Sequence, residues 1–188
     1  HTPMLWRAPH VLAAVYHRRS HIRDEGERGC RMITLYHSSR VVVDKPDILH
    51  SRESLDFGKG FYLTRLRSQA DKYAERFIRL YNSAVLNIYH FDENLEGFTS
   101  HVFEKYDGKW LDYIVACRRL QSHTLYDIIE GGIADDKVYN TVDLYMQGIY
   151  TKEQALDMLI YKKPNNQICI TSQELLDRNL HYVKSIIL

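Results

Sequence analysis

The chain has 188 residues, 45% of them hydrophobic and 26% charged, with only 9 Gly and 4 Pro, which excludes a disordered or collagen-like chain and predicts one domain with a sizeable core. Lys plus Arg is 25 and Asp plus Glu is 24, so a net charge of +1 excludes a polyphosphate-binding surface covering the whole protein and still allows a local basic cleft. No apolar run approaches the roughly 18 to 20 residues that cross a bilayer, so a soluble protein with no membrane contact is expected.

Residues 1–31 differ from the rest. They hold six Arg, no Lys and no acid before Asp24, giving +3 there against −2 for residues 32–188. Such an Arg-rich, acid-poor start reads as a mitochondrial transit peptide or as sequence upstream of the true start. The expected division is therefore an extension over 1–31, outside the fold, and a domain over 32–188 that opens at Met32. Three cysteines, Cys30, Cys117 and Cys169, are odd in number, widely spaced and without a CxxC pair, which fits a reducing cytoplasm better than a disulfide framework or a zinc site. Four of the ten histidines fall in the first 31 residues and none makes an HxxxH pair on a credible helix, so no metal is expected.

From Met32 onward short strands and helices are interspersed. ITLYH (33–37) is β-branched and aromatic, and GFYLT (60–64), bounded by Gly58 and Gly60, is a second strand. Residues 68–82 carry Ala70, Tyr73, Ala74, Phe77, Ile78 and Tyr81 at helical spacing behind Ser68 as N-cap. AVLNIYHFD (84–92) reads as a strand, 109–119 as a helix with Trp110, Ile114, Val115 and Cys117 inward, and TLYDIIEGG (124–132) as another strand. Two short helices follow over 135–147 and 151–161, the second opened by a Thr151–Gln154 capping box and closed by Pro164. QICITS (167–172) and LHYVKSIIL (180–188) are closing strands around a turn or helix at 173–177. Short strands with irregular crossovers predict an α+β fold, and no Gly-rich phosphate loop is present.

Three polar residues stand at strand ends in apolar surroundings: His37 in LYHSS, Tyr62 in DFGKGFYLT and Gln167 in NNQICI. Each alone reads equally as core packing or as a satisfied hydrogen-bonding residue at the core edge. Their joint order resembles the ADP-ribosyltransferase superfamily, whose H-Y-E triad runs from a strand with His, through a strand with Tyr after a glycine-containing loop, to a late strand opening on an acidic or amide residue. The wording LYHSS, LDFGKGFYLT, QADKYA, YDIIEGGIADDKVYNTVDLY and KPNNQICI is similar to a mostly bacterial branch of that superfamily over about residues 32–185.

The resemblance implies a split β-sheet core with an NAD cleft and flanking helices. It implies NAD as the substrate, no metal, and His37, Tyr62 and Gln167 in the triad places. Tyr73, eleven residues after Tyr62, would be the second face of the nicotinamide slot. Splitting nicotinamide from NAD develops positive charge on the ribose carbon, so two tyrosines can sandwich the cationic ring while His37 and the backbone at Ser38 hold ribose hydroxyls and carboxamide. Arg52 and Lys59, and more weakly Arg65, are candidates for the pyrophosphate. The implied activity is transfer of ADP-ribose to a macromolecule, protein or nucleic acid, with water as default acceptor, and an antitoxin or regulatory partner is compatible with it.

Two positions depart from the family pattern. Gln167 is neutral where the triad has a carboxylate; losing that charge costs on the order of 2 to 4 kcal/mol of transition-state stabilisation. That leaves a weakened enzyme, or a nucleotide-binding domain, as the alternative. Ser38 replaces the glycine of many relatives and requires its side chain to point away from the ligand. An RNA 2′-phosphotransferase-like activity is disfavoured because basic residues are not clustered along the sequence. Glu130 is a substitute carboxylate should Gln167 not be the catalytic position, and Asp112, Arg118, Asp127, Asp135 and Asp136 read as solvated or capping residues.

Overall fold

Strand pairing in this chain follows the β-branched and aromatic runs, and it divides them between two sheets. The computed structural model describes residues 31–132, 136–160 and 166–188. β1 (Met32–Ser39), β3 (Val85–Asp92) and β7 (Leu180–Ile187) form an antiparallel sheet in the order β1-β3-β7. β2 (Phe61–Leu63), β6 (Asn166–Ile170), β5 (Ile128–Gly132) and β4 (Ser100–Phe103) form a second sheet in the order β2-β6-β5-β4, antiparallel except for the parallel β4–β5 pair. Between them run the helices α1 (Arg67–Tyr81), α2 (Gly108–Arg118), α3 (Asp136–Met146), α4 (Lys152–Leu159) and α5 (Gln173–Asn179). The fold is α+β, and among the described residues no helix is long and apolar enough to cross a membrane.

Alternation along each strand sends its side chains to two different cores. Phe61, Leu63, Ile168 and Ile170 meet Leu35, Tyr89 and Phe91 of the first sheet, with Leu175 and Leu176 of α5 closing that cluster. Tyr62, Ile129 and Cys169 face the other way, onto Trp110, Leu111 and Ile114 of α2 and onto α3 and α4 through Val138, Val142, Ala155 and Leu159. Each fully buried large side chain here contributes about 1.5 to 3 kcal/mol by leaving water. α1 covers the outer face of the first sheet, where Ala70 packs with Leu86 and Ile88.

Several boundaries differ from the sequence reading for physical reasons. Ser68 does not cap α1: Leu66 occupies the cap position without a side-chain bond, and Thr64 Oγ1 accepts the Leu66 N–H instead, 3.1 Å away. The apolar stripe of α1 is buried only in its first half, since Ile78 and Tyr81 are exposed and the Arg40 guanidinium covers the Tyr81 ring at 3.8 Å. α2 begins one residue early because Asp107 accepts from the backbone of Lys109 and Trp110. β4 escaped sequence reading: SHVF is a four-residue edge strand with one buried side chain. The Thr151–Gln154 capping box is present. Residues 1–30, Asp135 and Pro164 lie outside the described residues, as do the side chains of Asp136 and Asn166.

Candidate functional site

Among the described residues one isolated bridge links the two sheets, in which Tyr36 and Thr64 exchange backbone hydrogen bonds of 2.9 and 3.0 Å. Beyond it β1 and β2 diverge, and the next contact across the gap is a side chain. His37 Nδ1 lies 2.8 Å from the Tyr62 carbonyl, with its ring 4.5 Å from that of Phe61. A carbonyl only accepts, so this bond places a proton on Nδ1. Burial pushes the His37 pKa below its ordinary value, against the opposing pull of the Tyr62 carbonyl, which favours a neutral imidazole.

Tyr62 is held at its hydroxyl, which donates to the Gly58 carbonyl at 2.7 Å and accepts from the Phe57 N–H at 3.1 Å. Gly58 sits at φ +78°, a conformation that favours glycine, and it turns the loop back beneath the ring. Burial raises the phenol pKa well above its ordinary value, so Tyr62 stays neutral. The Ser38 hydroxyl donates to the Ala70 carbonyl of α1 at 2.6 Å, which turns the side chain toward the helix. Tyr73, half-buried on α1, meets Phe77 edge-on at 5.4 Å, with the Arg76 guanidinium 5.3 Å from its ring centroid. Gln167, paired with Gly131 across the sheet, is 6% exposed, and its Oε1 is buried without a hydrogen-bond partner among the described residues.

These residues surround one cleft and its inner recess. The cleft, about 600 Å³, is lined by His37, Ser38, Tyr62 and Tyr73, with Arg40, Lys45, Arg52 and Arg76 against Asp44 and Asp47, so cations outnumber acids around it. The recess, about 20 Å³, is lined by the same His37, Ser38, Tyr62 and Tyr73 together with Thr64, Gln69 and Gln167. Gln167 and His37 are 130 residues apart in sequence. The strand alternation explains the meeting: Gln167 and Cys169 share the β6 face that carries Tyr62, whose direct partner is Cys169.

Other candidates fall elsewhere. Lys59 lines a separate groove of about 620 Å³ with Tyr113, Cys117 and His123. Arg65 bridges Glu93 at 2.9 Å and Glu130 at 3.1 Å. Glu130 faces the Ile168 side of the sheet, opposite to Gln167. Arg118, read from sequence as solvated, is instead a buried ion pair with Asp56, its side chain 7% exposed. Asp112 forms an exposed pair with Lys152, and Asp127 accepts from the backbone and hydroxyl of Thr99. Among the described residues no group of three or more His, Cys, Asp or Glu side chains is placed to hold a metal ion.

A family model of proteins of unknown function matches residues 33–182, most of the chain. The chain belongs to the DUF3990 family. No curated protein and no solved structure matches it.

This DUF3990 member also uses residues that sequence reading passed over. Asn87, fully buried in β3, donates to the His37 carbonyl, to Ser39 Oγ and to the Val41 carbonyl, and accepts from the Val43 N–H and the Ser185 hydroxyl. It thereby pins the stretch after β1 that forms one rim of the cleft. An asparagine inside the apolar run AVLNIYHF was the available signal. Thr64 and Gln69 carried no such signal, because both are ordinary residues where a strand gives way to a helix.

Proposed function

We propose that this DUF3990 protein binds NAD in the cleft between the sheets, cleaves the nicotinamide–ribose bond and transfers ADP-ribose to a macromolecular acceptor or to water, on a core of the split-sheet ADP-ribosyltransferase type. The observation that carries this reading is the convergence of His37, Ser38, Tyr62, Tyr73 and Gln167 on one recess at the point where two sheets part. In that role Tyr62 and Tyr73 flank a flat cationic ring, His37 holds a ribose hydroxyl, and the cations at the mouth, Arg52 among them, meet the pyrophosphate. The turned-away Ser38 hydroxyl supports the reading too, since it leaves the backbone there open to a carboxamide.

Gln167 decides between turnover and binding. Its carbonyl can accept a ribose hydroxyl proton but brings no charge to an oxocarbenium-like state, which favours a second reading of the same site as an NAD-binding domain with little turnover. The test is nicotinamide release by the full chain incubated with NAD, for wild type, Gln167→Ala and Gln167→Glu. For an enzyme, Gln167→Ala lowers kcat with little change in KM, and Gln167→Glu preserves or raises release. NAD binding without release, in wild type and both variants, selects the binder. Absence of NAD binding overturns both.

A further inference from the structure

Two amide side chains in the recess are buried and half-satisfied in opposite senses. Gln69 is 8% exposed and Gln167 6%. Gln69 Nε2, a donor, and Gln167 Oε1, an acceptor, have no hydrogen-bond partner among the described residues, and both residues line the same recess. The orientation of Gln69 is fixed by a relay: the Leu66 N–H donates to Thr64 Oγ1 at 3.1 Å, and the Thr64 hydroxyl donates to Gln69 Oε1 at 2.7 Å. The Thr64 hydroxyl thus fixes which end of the amide is oxygen, and Nε2 is the atom left over.

A buried donor or acceptor left unpaired costs about 1 to 3 kcal/mol, so two in one recess imply a group that satisfies both. A carbonyl or carboxylate would pair with Gln69 and leave Gln167 Oε1 orphaned, and an ammonium would do the reverse. A hydroxyl accepts through its oxygen and donates through its proton. The volume agrees: about 20 Å³ admits one oxygen-sized group, since a single water needs roughly 10 to 15 Å³. We propose that Gln69 and Gln167 form a one-hydroxyl subsite, in which Gln69 Nε2 donates to the ligand oxygen and Gln167 Oε1 accepts its proton. Gln69 is thus a ligand-positioning residue. The identity of the hydroxyl rests on the NAD reading above, which makes it a hydroxyl of the nicotinamide ribose; the hydroxyl chemistry of the subsite does not.

The test compares calorimetric binding of NAD and of its two analogues deoxygenated at the 2′ or 3′ position of the nicotinamide ribose, on wild type and Gln69→Met. On wild type, one analogue binds about tenfold more weakly than NAD. In Gln69→Met, NAD weakens by a similar factor and the preference over that analogue shrinks toward one, because both changes remove the same contact. Retention of the full preference by Gln69→Met, or equal weakening of NAD and both analogues, overturns the proposal. If wild type binds no NAD, the functional reading has failed and the subsite is judged on the unliganded melting temperature. A donor kept for a ligand is a liability without it, so in a Thr64→Val background, where no hydroxyl needs Gln69 Oε1, adding Gln69→Met gives a melting temperature at or above that of Thr64→Val alone. A drop of several degrees would mark Gln69 as merely structural and overturn the proposal.

Discussion

Gly60 stands directly before β2, and replacing it tests whether the close packing of the chain there against β6 governs stability. A Cβ added there would lie 2.5 Å from Cys169 Sγ and 2.8 Å from the Ile170 carbonyl oxygen. Contacts that close are repulsive, and neither neighbour can yield cheaply: Cys169 and Ile170 are fully buried, and β6 is paired on both sides, to β2 and to β5. Gly60→Ala therefore overpacks the core at a cost of about 1 to 3 kcal/mol, a drop in melting temperature of about 2 to 12 °C for a domain of this size. The assay is thermal denaturation of the full chain, run with a double-mutant cycle against Cys169→Ala. In the Cys169→Ala background the cost of Gly60→Ala shrinks but persists, because the clash with the Ile170 carbonyl is unchanged. A Gly60→Ala variant melting within about 1 °C of wild type, or a cost identical in both backgrounds, would refute the packing argument.

Removing the partner of Arg118 strands a charge that is almost wholly enclosed, so Asp56→Ala loses about 3 to 5 kcal/mol in urea denaturation, and adding Arg118→Met recovers part of it; a loss below about 1 kcal/mol would contradict the buried pairing. His37 makes stability depend on pH. Burial holds its pKa in the fold below the ordinary 6.5, so the unfolded chain takes up the proton first, and stability that is complete above that value is lost as the pH falls toward the folded pKa. Melting temperatures from about pH 8 to about pH 5 should show a loss in wild type that is smaller in His37→Gln, and parallel curves would argue against a desolvated His37.

The α+β class, six of the seven strands and the α2 face were legible because long β-branched runs and 3.6-residue spacing report burial directly. β4 was not, since an edge strand paired on one side needs little apolar sequence. The false cap at Ser68 shows a related limit: a hydroxyl at a helix start is common, whereas the group that serves α1 is Thr64, two residues before the cap position and committed to Gln69 as well. Arg118 was misread because its partner lies 62 residues away in a loop with no pattern of its own. His37, Tyr62, Tyr73 and Gln167 could be singled out through their order along the chain, but the recess they share depends on which face of β6 carries residue 167. That face follows from the antiparallel register of Tyr62 with Cys169, which no local segment encodes.

Tyr62 is secured by three separate attachments: the ladder from β2 to β6, the His37 ring bonded to its carbonyl, and the hydroxyl bonded to both Phe57 and Gly58. Together they fix the ring in position and orientation before any ligand arrives. Ordering a side chain on association ordinarily costs about 0.5 to 1.5 kcal/mol, and at this wall that ordering is completed when the chain folds.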